Sequence, residues 1–379
     1  MAVTIAPPHE GVAVSRTLSP ARAATVLAAP ALAALLLLAG CSAPPPAETA
    51  APGASDAPEQ SLECAQMVTN SGGLNDRSFN ETSWAGMERA QEELGVEANV
   101  LVSTTESDLA PNVQAAVDTG CGFVLTVGYE LAAATAEQAE ANPDVQFAIV
   151  DEIVEAPNVR SIVFDTAQAA FLAGYAAASV SETGTVATFG GGNQPPVTLF
   201  MDGFAAGIDA FNEAKGADVQ LLGWDPESQD GTFTGDFENV SLGQSQTQAF
   251  IAQGADVILP VAGQVGEGAF RASLDAGGEV LVLWVDNDGY DTLPEEFRPL
   301  LLTSVLKNTE DAVVGAVADA ADGTISDEPI IGTLENGGVD IAPFHDLDDR
   351  VSDETKAELD ALREQIIAGE ITVESPSSP

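Results

Sequence analysis

Residues 255–289 constrain the fold more tightly than any other stretch of the chain. Val257 to Val261 is a short apolar run rich in branched side chains, the pattern of a strand buried on both faces. Gly263, Gly266 and Gly268 follow at once, and Ala269 to Ala276 then reads as a helix closed by Gly277 and Gly278. A second buried strand, Val280 to Val285, ends in Asp286. In open α/β sheets ligands sit beyond the carboxyl ends of the strands, where backbone N–H groups and helix N-termini point. An acid at the end of the second strand is placed to accept hydrogen bonds from a ribose diol. The glycine spacing is Gly-x-x-Gly-x-Gly and not the dinucleotide Gly-x-Gly-x-x-Gly, so the same glycines read equally well as closing a tight turn.

The rest of the chain repeats this alternation. Strands are expected at Leu62–Thr69, Ala98–Ser103, Gly122–Val127, Val145–Val150 and Val159–Phe164, with helices at Glu81–Leu94, Ala110–Thr119 and Leu131–Ala141 between them. After Asp165 and an Ala-rich helix, Thr166–Ser181, the pattern starts again with Val186–Phe189, a Gly190-Gly191-Gly192 turn, helix Val197–Glu213 and strand Val219–Gly223. Strands alternating with helices of this length imply parallel sheets. The fold class is therefore α/β, with two doubly wound parallel-sheet lobes joined by a three-crossover hinge near Asp165, Asp288 and Gly338. The boundaries expected are 61–164 plus 289–337 for the first lobe, 165–288 plus 338–373 for the second, and a tail at 374–379. Lobes joined in this way close over a ligand.

The first forty residues belong to export. Arg16 and Arg22 precede an Ala/Leu run, Ala23–Leu38, and small residues lead to Cys41. The competing reading is a transmembrane anchor, but the run is only just long enough to span. Leu38-Ala39-Gly40-Cys41 resembles a bacterial lipobox, which implies a signal peptide at 1–40, lipidation of Cys41 and anchoring on the extracytoplasmic face of the cell membrane. Residues 41–60 are Ala, Pro, Ser, Glu and Thr with almost no large apolar side chain, and read as a disordered tether. Cys64 and Cys121 each open an expected strand. First and third strands of a doubly wound lobe are neighbours, and the exported compartment permits a bond. A Cys64–Cys121 disulfide is expected, against two buried free thiols.

Net charge is -47, from 59 acids and 12 bases. That argues against nucleic acid as a partner and against direct docking on an anionic membrane surface. The chain has three lysines, and only Lys307 follows a buried-looking strand, Leu300–Leu306, at its carboxyl end. A cation kept there points to a ligand contact; the alternative is a partner for nearby Glu310 or Asp311.

Gly72-Gly-Leu-Asn-Asp-Arg-Ser-Phe-Asn80, Gly254-Ala-Asp-Val-Ile258, Val261-Ala-Gly263, Val285-Asp286, Leu302-Thr-Ser-Val-Leu-Lys307 and Gly337-Gly-Val-Asp-Ile-Ala-Pro343 occur in that order. Together they resemble the basic membrane protein family of bacterial lipoproteins, from about Cys64 to Ile371. The resemblance implies the type I periplasmic-binding fold and a substrate-binding protein that delivers a purine nucleoside to an ABC permease; a monomer is expected. It also implies that the base lies between two aromatic rings, Phe79 and Phe237, with Phe233 the competitor for the second. Ser78 and Asp151 fall where the family has polar contacts to the base, and Gly263, Asp286 and Lys307 where it holds the sugar. Asn70, Asp76 and Asn80, in and beside the same motif, complete the expected ligand set. Asn70 departs from the family pattern, which has an acid there; an amide donates as well as accepts. Taken alone, Phe79 and Phe237 read as ordinary core packing; within the motif they read as ligand contacts.

Nothing in the sequence favours catalysis. There are two histidines, His9 and His345, no Gly-x-Ser-x-Gly elbow and no clustered His/Cys metal ligands. The expectation is no enzyme, no metal and no cofactor. The alternatives are the same fold holding a sugar or signalling furanose, a nucleoside-processing enzyme, and a sensor lipoprotein without an import role.

Overall fold

The computed structural model describes residues 62–379; the expected signal peptide and tether, with Cys41, lie outside them. The first unit runs β1 (Cys64–Thr69), α1 (Phe79–Leu94), β2 (Glu97–Leu101), α2 (Glu106–Asp118), β3 (Phe123–Val127), α3 (Ala132–Ala141), β4 (Gln146–Val150) and β5 (Val159–Phe164). The second runs α4 (Thr166–Val180), β6 (Thr185–Gly190), α5 (Pro195–Lys215), β7 (Gln220–Leu222), a hairpin of β8 (Trp224–Asp225) and β9 (Asp230–Gly231), α6 (Val240–Ile251), β10 (Val257–Val261), α7 (Glu267–Asp275) and β11 (Leu281–Asp286). Then come α8 (Gly289–Thr292), β12 (Leu301–Lys307), α9 (Thr309–Ala321), β13 (Ile330–Gly332), β14 (Val339–Ile341) and α10 (Asp353–Ile367).

These strands form two six-stranded sheets, β2-β1-β3-β4-β5-β13 and β7-β6-β10-β11-β12-β14. The first five strands of each sheet are parallel and share one doubly wound order, and only β14 runs antiparallel, on β12. Their central strands are buried along their whole length, as in β3 (FVLTV) and β10 (VILPV), because helices cover both faces. Pro260 has no N–H to give, and the pairing of β10 with β11 ends before it, at Ile258.

One sequence boundary moves between lobes. The reading above returned the chain to the first lobe after Asp288 and assigned 289–337 there. Leu301–Lys307 instead pairs in parallel with β11 in the second sheet. The chain crosses back only beyond Lys307, into α9, which packs on α1. The stretch between β11 and β12 holds no full-length helix. A one-turn helix and the 3-10 turn Glu295–Leu300 make the crossover, and Phe297 stacks on Phe270 with centroids 4.9 Å apart. The other two passages lie at Asp165 and between β13 and β14. A second difference is local: α2 starts at Glu106, not Ala110. The Asp108 carboxylate accepts from Thr105 N at 2.9 Å, so Pro111 falls inside the helix and not at its first turn.

Helix α4 is buried on nearly every side and lies against α5. Small residues permit this: a Cβ on Gly174 would stand 2.1 Å from Phe204 O, and one on Gly207 would stand 2.0 Å from Phe171 O. The segment expected as a tail at 374–379 docks on α5, where Ser375 Oγ donates to Asp202 Oδ2 at 2.6 Å. In the first sheet, β1 and β3 are neighbours with Ala65 opposite Phe123, and Cys64 is bonded to Cys121 with Cα atoms 5.0 Å apart.

Candidate functional site

Each strand that matters to the site contributes at its carboxyl end. Asn70 follows β1, Gly128 follows β3 and Asp151 follows β4 from the first sheet. Ala262 and Gly263 follow β10, while Asp286 and Lys307 end β11 and β12 of the second. The two sheets present these ends to one another, and the cleft between them holds about 620 Å³ not filled by atoms, part of it open to solvent.

One aromatic ring comes from each lobe. Phe79 opens α1, and Phe237 lies in the loop before α6; both are half-buried and line the cavity. The Phe237 ring packs on Gly191, where a Cβ would stand 2.3 Å from it, so the glycine turn after β6 is needed for the ring's position. Phe233, the competitor for that role, is not on the cavity wall and meets Trp224 edge-on at 6.1 Å.

The loop before α1 is organised by Asp76. Its Oδ1 accepts from the backbone N–H groups of Ser78 (3.0 Å) and Glu81 (3.1 Å). Its Oδ2 accepts from Asn80 N (2.9 Å) and Asn80 Nδ2 (3.2 Å). This caps the first turn of α1 and fixes the direction in which Phe79 leaves the helix. Burial pushes the Asp76 carboxyl up to about 7, against these N–H donors, which favour the carboxylate. Asp76 borders the cavity, but its oxygens are already committed to the loop. Asn70 Oδ1 accepts from Gly72 N at 3.0 Å and from Asn80 Nδ2 at 2.8 Å.

A charged centre lies beside the rings. Lys307 Nζ bonds both oxygens of Asp151, at 2.8 and 2.7 Å, and stands 3.9 Å from Asp286 Oδ1. It also sits 4.7 Å from the Phe79 ring centroid. Asp151 and Asp286 both adopt left-handed backbone, φ 69 and 72, a conformation that aspartate visits more easily than most residues and that collects at functional sites. Burial pushes the Asp286 carboxyl above the ordinary aspartate value; Lys307 and the Ser78 hydroxyl pull it back, and Asp151 adds to the rise. Ser78, expected to touch the ligand, is fully buried behind the wall, and its Oγ donates to Asp286 Oδ2. The helix-capping loop turns the Ser78 backbone N–H to Asp76 and its hydroxyl to Asp286, which borders the cavity.

Two further contacts span the lobes. Gln194 Nε2 donates to Glu130 Oε1 at 2.9 Å at the cavity wall, and burial raises the Glu130 carboxyl. Arg77 Nε pairs with Glu267 at 3.1 Å, its Nη1 donates to Thr292 O at 2.9 Å, and its carbonyl accepts from Asn287 Nδ2 at 2.9 Å. The sequence reading missed Glu130, Gln194 and Tyr129, all on the wall. The Gly128-Tyr129-Glu130 step after β3 was the available signal, being the first lobe's equivalent of Ala262-Gly263.

Nine of the ten expected ligand residues, all but Ser78, border one cavity. Among the described residues no group of His, Cys, Asp or Glu is placed to hold a metal ion, and no helix is long and apolar enough to cross a membrane. Two rings and a lysine–carboxylate centre on one cavity suit a flat polar group joined to a hydroxyl-bearing one. Asp76, Glu130, Asp151 and Asp286 against a single lysine make the wall hostile to a phosphate.

Comparison with known proteins agrees with this geometry. Residues 65–377 match the family model described as Bmp, ABC transporter substrate-binding protein PnrA-like. The chain is similar to the ABC transporter nucleoside-binding protein BmpA of Lactococcus lactis subsp. cremoris, 29% identical over 91% of this chain and 97% of that protein. An uncharacterized lipoprotein of Pyrococcus abyssi is 30% identical over 70% of this chain and 66% of its own length. Among solved structures, an ABC transporter solute-binding protein from Aeropyrum pernix K1 superposes with TM-score 0.74 at 24% identity, covering 82% of this chain and 92% of that one.

Proposed function

The chain belongs to the Bmp family of PnrA-like ABC transporter substrate-binding proteins, and from that premise we propose that it captures a nucleoside between its lobes and delivers it to an importer. The observation that carries this reading is the meeting of Phe79 and Phe237, one from each lobe, on the cavity that also holds Asp286 and Lys307. The base stacks between the rings, a contact that tolerates any base and contributes about 1–3 kcal/mol. Asp286 accepts the ribose hydroxyls and Lys307 donates to sugar oxygens. Gly263 admits the sugar closely because it carries no side chain, and the acidic wall rejects nucleotides. The name of the Lactococcus relative supports the ligand class, and the lipoprotein name of the Pyrococcus relative supports anchoring through Cys41.

Ligand-dependent thermal stabilisation of the purified protein tests the reading, since a ligand held only by the folded state raises its melting temperature. Nucleosides are expected to raise it; ribose, free bases and nucleotides are not. Stabilisation by sugars alone would overturn the stacking role, and release of free base on incubation would show an enzyme. Cys41→Ala is expected to free the protein from the membrane fraction; retention there would overturn the lipid anchor.

A further inference from the structure

Arg77 joins the two lobes without bordering the ligand cavity. Its N–H is tied to its own lobe, donating to Glu81 Oε2 at 2.9 Å. Its carbonyl and its side chain are held by the other lobe. The carbonyl accepts from Asn287 Nδ2 at 2.9 Å and from Trp284 Nε1 at 3.3 Å. A carbonyl only accepts, so the first of these bonds fixes which way the Asn287 amide faces. The same Asn287 Nδ2 donates to Thr82 Oγ1 on α1 at 3.1 Å. Arg77 Nε stands 3.1 Å from Glu267 Oε1, and Nη1 donates to Thr292 O at 2.9 Å. Glu267, Trp284, Asn287 and Thr292 all lie in the lobe of the second sheet.

Parting the lobes breaks all of these contacts together. Glu267, whose side chain is 7% exposed, would keep Arg271 of its own helix, at 3.7 Å, as its cationic neighbour. The indole N–H of fully buried Trp284 would lose its bond to Arg77. Arg77 itself has left-handed backbone, φ 55, which a long side chain adopts only where its surroundings fix it. Beside the Arg77–Glu267 pair lies a second cavity, partly open to solvent. Asn75, Arg77 and Glu81 line it from one lobe and Gln264, Glu267 and Arg271 from the other, and it shares no residue with the ligand cavity. Water therefore reaches the pair without passing the ligand.

We propose, resting on capture of a nucleoside between the lobes as read above, that Arg77 is a latch that sets how long the lobes stay together. A ligand enters while the lobes are apart, when none of these contacts exists, so the association rate does not depend on them. Release requires breaking them, so they set the dissociation rate. Arg77 is a positioning residue in this role, since it holds one lobe on the other and leaves the ligand untouched.

Stopped-flow tryptophan fluorescence with inosine and adenosine tests the latch. Arg77→Met keeps the apolar stem and removes the guanidinium. It is expected to release the better ligand about tenfold or more faster, with association within about twofold and the ligand-free melting temperature little changed. Arg77→Lys keeps a charge for Glu267 but not the fork that also reaches Thr292 O, and is expected to fall between the two. Arg271→Ala removes the cation that meets Glu267 from within its own lobe, and release is expected to stay within about twofold. Unchanged release from folded Arg77→Met, an association rate that falls as far as release rises, or equal acceleration by Arg271→Ala would each overturn the latch. Binding of neither nucleoside by the native protein would remove the nucleoside reading, and small-angle scattering of the ligand-free protein would then decide the latch. Arg77→Met is expected to enlarge the radius of gyration there, and an equal radius would overturn the proposal.

Discussion

Lys307 Nζ, on the second sheet, grips both carboxylate oxygens of Asp151, on the first, at 2.8 and 2.7 Å. Both side chains are nearly out of solvent, at 2% and 9% exposure, so the pair crosses the cleft in a poorly hydrated setting. Removing one member of such a pair leaves the other charge buried alone, which costs about 3–5 kcal/mol unless water reaches it. Lys307→Met is therefore expected to weaken nucleoside binding by more than about a hundredfold. It should also open the cleft, because separating the lobes is the easiest way to hydrate Asp151 and Asp286. Small-angle scattering of the ligand-free variant is expected to show a larger radius of gyration; an unchanged radius with unchanged affinity would show that the pair does not couple the lobes.

Asp286 gives the site a pH dependence whose sign follows from its burial. Its folded-state value is raised, burial being the largest cause. Ribose hydroxyls bond the ionised form, so affinity is expected to fall on acidification above the ordinary aspartate range, since the carboxylate is lost early. The contribution of Asp286 to the ligand-free fold runs the other way. The folded state binds this proton more readily than the unfolded chain, so that contribution declines as pH rises through the raised value. Calorimetry across a pH series above the ordinary aspartate range should show affinity increasing with pH, and Asp286→Asn should flatten the profile while weakening binding. A 2′,3′-dideoxynucleoside should bind the native protein as weakly as the parent nucleoside binds the variant.

Phe237 and Phe233 lie four positions apart in one loop and are expected to respond oppositely to truncation. Phe237→Ala removes a ring from the cavity and is expected to cost about 1–3 kcal/mol of binding with little change in melting temperature. Phe233→Ala removes packing on Trp224, at 6.1 Å, and is expected to lower the melting temperature while affinity moves less. The reverse pattern would reassign the second ring.

That loop also shows why part of the site is legible in sequence and part is not. Strand ends announce themselves: branched apolar runs stop at Asp151, Asp286 and Lys307, and the parallel order brings all three to one side. Which sheet a run joins is a long-range property, so β12 was assigned to the wrong lobe although its limits were read within a residue. The Ser78 hydroxyl is turned to Asp286 by a loop that Asp76 folds locally, and no spacing rule encodes that rotation. Glu130 and Gln194 sit singly in turns with no periodicity around them, and only the folded cleft reveals them as partners.

The Cys64–Cys121 bond lies at the opposite ends of β1 and β3 from the ligand cavity. Those strands rise about 3.3 Å per residue, so their length places the bond roughly 15 Å or more from Asn70 and Gly128. It closes a loop with sequence separation 57 within the first lobe. A cross-link of this kind acts on the unfolded chain and typically stabilises by about 2–5 kcal/mol. Replacing both cysteines by serine is expected to lower the melting temperature by on the order of ten degrees while nucleoside affinity measured well below that temperature stays within about twofold. Stability and binding separate because the strands between bond and cavity are held on both sides by other strands of the sheet, β2 outside β1 and β4 outside β3. A large loss of affinity in the folded double variant would mean that the bond sets the register of β1 against β3, and with it the position of Asn70.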